Sequence, residues 1–383
     1  MKNKTILIIA HHVVVKEYQE LWVAAAKNKP EWKFKIIAPD YYKERGVLKS
    51  EALDKDLCPL FSLPTVFGAQ GRQHLFFYLG LQKMVSEINP DLIYCAEEPN
   101  SLVSYQVSRI SKKLKIPAVY WTSLNEKRDY KIMYPFGNVR KYLFPWVQER
   151  VFKNSMAINA TSEVAEDVLR WKGYKGTILR FPTHGVGNSF FQIASNRFAQ
   201  PQPNGKLRIL YLGYLYAYKG VDVLIDAVNK SEMTNAALTI VGDGPELESL
   251  KKRARNSQVQ IEFRKPIPSQ DVPLLLSSVD VLVLPSVELD GVIEKFGRVI
   301  IEAKAAGTMV IGSNIGGIPL AIGSKGWLFP QKDSNKLAEL LNELCNDRIL
   351  LRDLQEKCCD EVRKQYSYEK LSSNLLSGIM REF

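Results

Sequence analysis

No stretch of this 383-residue chain approaches the roughly 20 consecutive apolar residues that a membrane-spanning helix requires. The amino-terminal apolar run, residues 6–10, is also too short for the core of a secretory signal, so neither a membrane span nor export is expected. Cysteine is scarce and odd in number: Cys58, Cys95, Cys345, Cys358 and Cys359 show no metal-ligand spacing and make no disulfide framework. A reducing cytoplasm is the expected compartment. No G-x-G-x-x-G follows the first apolar run, which argues against a dinucleotide-dependent oxidoreductase. No groove-reading motif accompanies the basic charge, so nucleic acid is not an expected partner. Disorder is not expected either, because 46% hydrophobic and 24% charged residues are the proportions of a folded globular chain.

What the chain has is length for two domains of ordinary size and an alternation of apolar runs with helix-like segments. Residues 6–10, 33–39, 92–95, 118–121 and 156–160 read as buried strands, and residues 207–212, 279–284, 308–312 and 326–330 repeat the pattern. Alternation of this kind implies parallel sheets with helices on both faces, and active groups beyond the carboxyl ends of the strands. Residues 195–206 lack periodicity and are rich in Pro, Asn and Gln, which places a linker there, between domains of residues 1–194 and 207–366. The net charge of +11 is uneven: residues 1–195 hold 28 Lys and Arg against 18 Asp and Glu, residues 196–383 hold 24 against 23. Such an excess is that of a merely basic surface or of a half with an anionic partner: a membrane surface, a phosphorylated lipid or nucleic acid. Residues 134–153 mix Phe136, Tyr142, Phe144 and Trp146 with Arg140, Lys141, Arg150 and Lys153, which suits either a lipid headgroup region or a core-facing helix.

Residues 284–319 carry the densest chemical pattern. An apolar run ends at Leu284, a loop is marked by Pro285, Asp290 and Gly291, and a helix follows near Phe296 with Val299, Ile300, Ala303 and Ala306 as its core face. Glu294 before this helix and Glu302 within it flank Gly297. Free amides at a helix start suit phosphate, and neighbouring carboxylates accept hydrogen bonds from sugar hydroxyls. A second strand, glycine turn and helix start lies at Gly213 to Gly220, with Lys219 in the turn, and a third has Gly242 and Gly244 ahead of Glu246. Pro285, Ser286, Glu294, Phe296, Gly297, Glu302, Ala303, Ala305, Gly307, Val310, Gly316, Gly317 and Pro319 stand at the spacings of the E-x7-E region of retaining glycosyltransferases of family 4, and the chain resembles that family.

The resemblance implies an α/β protein of the GT-B fold: two Rossmann-like doubly wound domains facing across a cleft, with a C-terminal helix, residues 367–383, crossing back to the first. It implies retaining transfer of a hexose from a nucleotide-diphosphate sugar, UDP- or GDP-linked, to a glycan or lipid-linked acceptor at the cytoplasmic membrane face. Neither a metal nor a further cofactor is implied. Glu294 would then contact the donor sugar, Glu302 the ribose, Lys219 the diphosphate, and the amides around Phe296, Gly297 and Arg298 the phosphates, with Gly213, Gly220, Gly242 and Gly244 shaping the donor site. The chain also departs from the pattern. Tyr214 stands where the family has an arginine that clamps phosphate, and Arg298 is the expected replacement. A histidine usual after the fourth strand is missing, which makes Asn125 its stand-in and leaves His12, Glu98 and Asn125 as acceptor-side candidates; His184 is expected to bond between the domains. These departures, with Leu320 where the family often has Glu, keep a second reading open, a degenerate GT-B protein that binds nucleotide or sugar without turnover.

Overall fold

Thr5–Ile9 (β1), Lys33–Pro39 (β2), Leu60–Leu63 (β3), Leu92–Cys95 (β4), Ala118–Thr122 (β5), Ala157–Ala160 (β6) and Thr177–Arg180 (β7) form one sheet in the order β7-β6-β5-β4-β1-β2-β3. The computed structural model describes residues 3–43, 47–68, 70–124, 127, 129–133, 138–200 and 205–382. Every strand pairing in this sheet is parallel. Its central strands show no polar alternation, and Ile6, Leu7, Ile8 and Ile9 are all fully buried, because helices cover both faces. Among those helices, Glu20–Asn28 (α1) buries Leu21 to Ala26, and Leu102–Leu114 (α2) starts where the Ser101 hydroxyl accepts from the Ser104 amide. Arg140–Asn154 (α3) buries Phe144, Val147, Gln148 and Val151 and leaves Tyr142 and Trp146 outside, with the Arg150 guanidinium 3.6 Å from the Trp146 ring centre. The aromatic segment is therefore divided, with Phe144 in the core and Trp146 at the surface, while Phe136 lies outside the described residues. Among the described residues no helix is long and apolar enough to cross a membrane.

A second sheet is built from Leu207–Leu212 (β8), Ala236–Val241 (β9), Gln260–Arg264 (β10), Val281–Leu284 (β11), Met309–Ser313 (β12) and Trp327–Phe329 (β13), again all parallel, in the order β10-β9-β8-β11-β12-β13. Both sheets start at an inner strand, wind outward one way, then return to wind the other way. The reversal falls between β1 and β4 in the first and between β8 and β11 in the second, and loops diverging at such a point leave a crevice at the carboxyl ends of the strands.

The chain divides into two compact units, Met1–Gly185 with Tyr368–Phe383, and Val186–Ser367. The division lies upstream of residues 195–206, where the linker was expected. The reason is the helix Asn188–Phe198 (α4): Phe191 and Ala194 enter the core of the second unit, and Arg197, in the polar run that reads as linker, donates to the Ser277 and Val279 carbonyl oxygens at 2.9 and 2.6 Å. Two further helices matter to this unit, Arg298–Ala305 (α5) and Arg348–Tyr366 (α6). The last helix, Tyr368–Glu382 (α7), belongs to the first unit, where Leu371, Leu375, Leu376 and Ile379 join the core beside Trp22 of α1. That is the stripe expected from its helical spacing.

Candidate functional site

At the switch point of the second sheet, the loops leaving β8 and β11 carry the chain's two most chemically loaded segments. Lys219 closes a short 3-10 turn in the first loop and Glu294 lies in the second, and the Lys219 Nζ is 2.5 Å from the Glu294 Oε2. The side chains are only 16% and 14% exposed, so their attraction is screened far less than that of a surface pair. On α5 the Arg298 Nε pairs with the Glu302 Oε1 at 2.7 Å, one helical turn apart. Each of the two patterned carboxylates is thus matched to its own cation.

Two glycines hold this arrangement for steric reasons. Gly220 has φ 63°, and a Cβ there would lie 2.0 Å from the Pro285 carbonyl oxygen, so only glycine lets the loop after β8 close on the loop after β11. A Cβ at Gly317 would lie 1.8 Å from the Lys295 carbonyl oxygen, and the Gly317 amide donates to the Glu294 carbonyl oxygen at 2.9 Å, fixing the backbone that presents Glu294. The amides of the other predicted glycines are bonded within the unit: Gly213, Gly242 and Gly244 donate to the Val241 oxygen, the Arg264 oxygen and the Asp243 Oδ1 at 3.1, 3.1 and 2.8 Å. Gly297 precedes α5, and the Phe296 ring packs 5.9 Å from the Tyr366 ring. Tyr214, at the position of the family's arginine, is 55% exposed and begins a row of rings, 5.9 Å to Tyr216 and 6.0 Å from there to Tyr218. The loop behind it is fixed by the Tyr211 hydroxyl, which donates to the Tyr214 oxygen at 2.7 Å; burial, with Glu294 nearby, pushes that phenol up and keeps it a donor. Sequence reasoning missed Lys304. It is 1% exposed on the helix of Glu302, and its Nζ reaches the Glu361 Oε2 at 2.5 Å and the Ile322 oxygen at 2.6 Å, tying α5 to α6. A lysine among Ala303, Ala305 and Ala306 was the available signal.

The first unit has its own cluster at the ends of β1, β4 and β5. His11 Nδ1 lies 2.7 and 2.8 Å from the two oxygens of Glu97, whose Oε1 also accepts from the His11 amide at 2.7 Å, and Glu97 is wholly buried. His12, next along, sits 5.3 Å from the Tyr18 ring and 6.2 Å from the Trp121 ring; burial, then the nearby His11 and His184, hold its imidazole well below the ordinary histidine range. Glu98 accepts from the Thr122 hydroxyl at 2.6 Å and the Ser123 amide at 3.0 Å, bracing the loop after β4 against the loop after β5, while burial pushes its carboxyl up. Asn125 lies outside the described residues. The chain has four histidines, and all belong to this unit: burial, then His11 and Arg140, lower the imidazole of His74, and His184 lines a cavity of about 160 Å³ together with His11, His12, Tyr18 and Trp121. No group of three His, Cys, Asp or Glu able to hold a metal ion occurs among the described residues.

Residues 192–364 match the family described as Glycosyl transferases group 1, which is nearly the whole of the second unit. A D-inositol 3-phosphate glycosyltransferase of Streptomyces avermitilis is 30% identical over 211 residues, 50% of this chain and 44% of the relative. A GDP-mannose-dependent alpha-(1-6)-phosphatidylinositol monomannoside mannosyltransferase of Mycobacterium tuberculosis is 29% identical over 177 residues, 44% of this chain and 46% of the relative. The chain therefore matches less than half the length of either relative. Among solved structures, that of Anabaena HepE with UDP and glucose superposes with a TM-score of 0.65 at 16% identity, covering 99% of this chain and all of the other, a likeness of GT-B fold over both units.

Proposed function

Because residues 192–364 match the family described as Glycosyl transferases group 1, we propose that this chain moves a hexose from a nucleotide-diphosphate sugar to a glycan or lipid-linked acceptor with retention of anomeric configuration. The Lys219–Glu294 pair at the switch point of a Rossmann-like sheet carries the proposal. When the sugar–phosphate bond breaks, negative charge develops on the diphosphate, and Lys219 with the amides at the start of α5 meets it where it forms. Glu294, exchanging its lysine for the donor, accepts from sugar hydroxyls, and Glu302 accepts from the ribose. The acceptor oxygen forms the new glycosidic bond on the face that the diphosphate leaves, and its proton passes to the departing phosphate oxygen. This chemistry uses no carboxylate as covalent nucleophile and includes neither a metal ion nor a resident cofactor.

Incubation with UDP-, GDP- and ADP-hexoses, following nucleoside diphosphate release, tests the proposal. Release from a UDP- or GDP-linked donor, undiminished by a chelator and lowered about 10²-fold or more in Glu294→Ala, is the expected result. Nucleotide binding without turnover in wild type and variant alike would instead establish the degenerate binder.

We place the acceptor at the cytoplasmic membrane face. The excess of Lys and Arg in residues 1–195 and the exposure of Tyr142 (62%) and Trp146 (41%) beside Arg150 support this, as does the phosphatidylinositol-linked substrate in the Mycobacterium relative's name. Flotation with anionic liposomes at low salt should carry the protein upward, less so for Trp146→Ser, and salt should release it. Absence of binding at low salt contradicts the membrane assignment and leaves the transferase assignment standing.

A further inference from the structure

Lys304 on α5 is 1% exposed, and among the described residues no other lysine or arginine is so deeply buried. The same helix carries Glu302, but two positions along a helix lie about 200° apart, so the two side chains leave opposite faces. Glu302 pairs with Arg298, while Lys304 turns toward α6, where its Nζ lies 2.5 Å from the Glu361 Oε2. The chemistry assigned to Lys219, Glu294 and Glu302 makes no use of this pair. Stability alone is a poor reason for it, because two charges taken out of water lose their hydration, and apolar side chains of similar volume often do as well or better. The rest of the buried surface of α5, Ile300, Ile301, Ala303 and Ala305, is aliphatic. Apolar contact has no direction and does not fix where a helix comes to rest, whereas a hydrogen bond does.

The partners of the pair show what it fixes. Lys304 Nζ also donates to the Ile322 carbonyl oxygen at 2.6 Å, and the Glu361 Oε1 accepts from the Ser324 amide and hydroxyl at 2.9 and 2.8 Å. Gly323, between them, has φ 66°, and a Cβ there would lie 2.8 Å from the Glu361 Oε2, so the backbone passes directly over the carboxylate. Burial alone would raise the Glu361 carboxyl, but the hydrogen bonds from Lys304 and Ser324 outweigh it and hold the group below the ordinary glutamate range. Ile322 ends the short helix Ile318–Ile322, whose first turn follows Gly317, and the Gly317 amide donates to the Glu294 carbonyl oxygen at 2.9 Å. One ammonium thus joins the helix that carries Glu302 to the segment that holds the backbone of Glu294.

We propose that Lys304 is a positioning residue of the donor site: held by Glu361, it sets where Glu302 stands relative to Glu294. The proposal rests on the transferase reading above and adds to it a residue that acts only through others. Reacting groups have to be held to within a fraction of an ångström, so a helix free to settle elsewhere loses rate before it loses affinity.

Two variants of the full-length protein separate position from stability. Lys304→Met/Glu361→Leu removes both charges and fills the space with carbon, so its melting temperature should stay within about 3 °C of wild type. Its kcat for nucleoside diphosphate release should nevertheless fall about tenfold or more, with the donor KM changed less than about threefold. Glu361→Gln keeps an acceptor for the ammonium but not the countercharge, so its melting temperature should drop by several degrees while most of the wild-type kcat remains. Hydrogen exchange gives a readout independent of turnover: residues 290–302 should exchange about tenfold faster in the double variant than in wild type. If kcat and melting temperature fall together across the variants, or if the double variant keeps the wild-type rate or the wild-type exchange, the inference is overturned while the transferase reading stands. If the double variant fails to fold, Glu361→Gln decides, and loss of its kcat despite the retained acceptor overturns the inference. If wild type releases no nucleoside diphosphate from any donor, the transferase reading falls, and exchange at residues 290–302 alone decides whether Lys304 holds the two carboxylates in place.

Discussion

On the proposed transferase reading, Lys219→Ala should lower the rate of nucleoside diphosphate release by about 10²–10³-fold, the usual consequence of removing one donor aimed at charge that develops in a transition state. The size follows from where the ammonium sits. With 16% of its side chain exposed and a carboxylate at 2.5 Å, Lys219 acts in a medium that screens charge weakly. Because the diphosphate gains charge as the sugar leaves, the loss should fall mainly on kcat, with a smaller rise in KM for the donor. Lys219→Arg should recover part of the rate, whereas Glu294→Gln should keep nucleotide affinity near the wild-type value and still lose turnover, since it spares the cation and alters the sugar contact. The two residues touch, so the double variant Lys219→Ala/Glu294→Gln should fall well short of the summed effects. A Lys219→Ala enzyme with unchanged kcat and only a raised KM would show that the lysine merely holds the donor. Melting temperatures for each variant separate loss of chemistry from loss of fold, because Lys219→Ala also leaves a shielded carboxylate without its partner.

The architecture was legible where burial on both faces erased polar alternation, as in residues 6–9 and 281–284, since short apolar runs alternating with helical segments suit the strands of a parallel sheet covered on both faces. The positions of Glu294 and Glu302 were legible too, because spacing along one loop and helix is a local property. What joined them to cations was not. Lys219 and Glu294 are 75 residues apart and meet because β8 and β11 are neighbours, which depends on the strand order and not on either segment. The division between the units was hidden by composition: residues 195–198 read as polar linker, but Arg197 is polar because it bonds inward to carbonyl groups of the second unit. At the end of β1 the choice between two adjacent histidines turned on what each side chain meets. Both line the cavity, but only His11 is bonded to Glu97 while His12 packs among the rings of Tyr18 and Trp121, a difference that carries no sign in the sequence. The same holds on α3, where Phe144 and Trp146 differ in burial because two positions along a helix reach different faces.

Asp280→Ala should destabilise the second unit by about 3–5 kcal/mol, the range for removing one partner from a buried ionic cluster. Asp280 is fully buried just ahead of β11, and its carboxylate takes the Arg208 Nη2 at 2.8 Å, the Arg197 Nη2 at 3.2 Å and the Arg348 Nη2 at 3.4 Å, with the Arg208 amide at 2.9 Å. Those cations come from β8, α4 and the first turn of α6, so one carboxylate joins three elements. Removing it leaves three guanidinium groups facing one another, and Arg197, whose burial already pushes it down to about 10, loses the charge that offsets its desolvation. For a unit of this length the loss corresponds to about 6–20 °C in Tm. The pH dependence has a definite sign. Burial alone would raise the Asp280 carboxyl, but the hydrogen bonds from Arg208 and the charges of Arg208 and Arg348 outweigh it and hold the group below the ordinary aspartate range. A carboxyl held lower in the folded state than in the unfolded one binds fewer protons when folded, so its stabilisation is complete above the unfolded value of about 4 and is lost as pH falls through the folded value. Urea unfolding should therefore give a gap between wild type and Asp280→Asn that is constant at neutral pH and narrows below about pH 4. A cost under about 1 kcal/mol for Asp280→Ala at pH 7 would mean that the arginines find water instead, as exposed pairs do. The strand that follows Asp280 leads directly into the loop of Glu294, so the same substitution should also loosen nucleotide binding in whatever fraction remains folded.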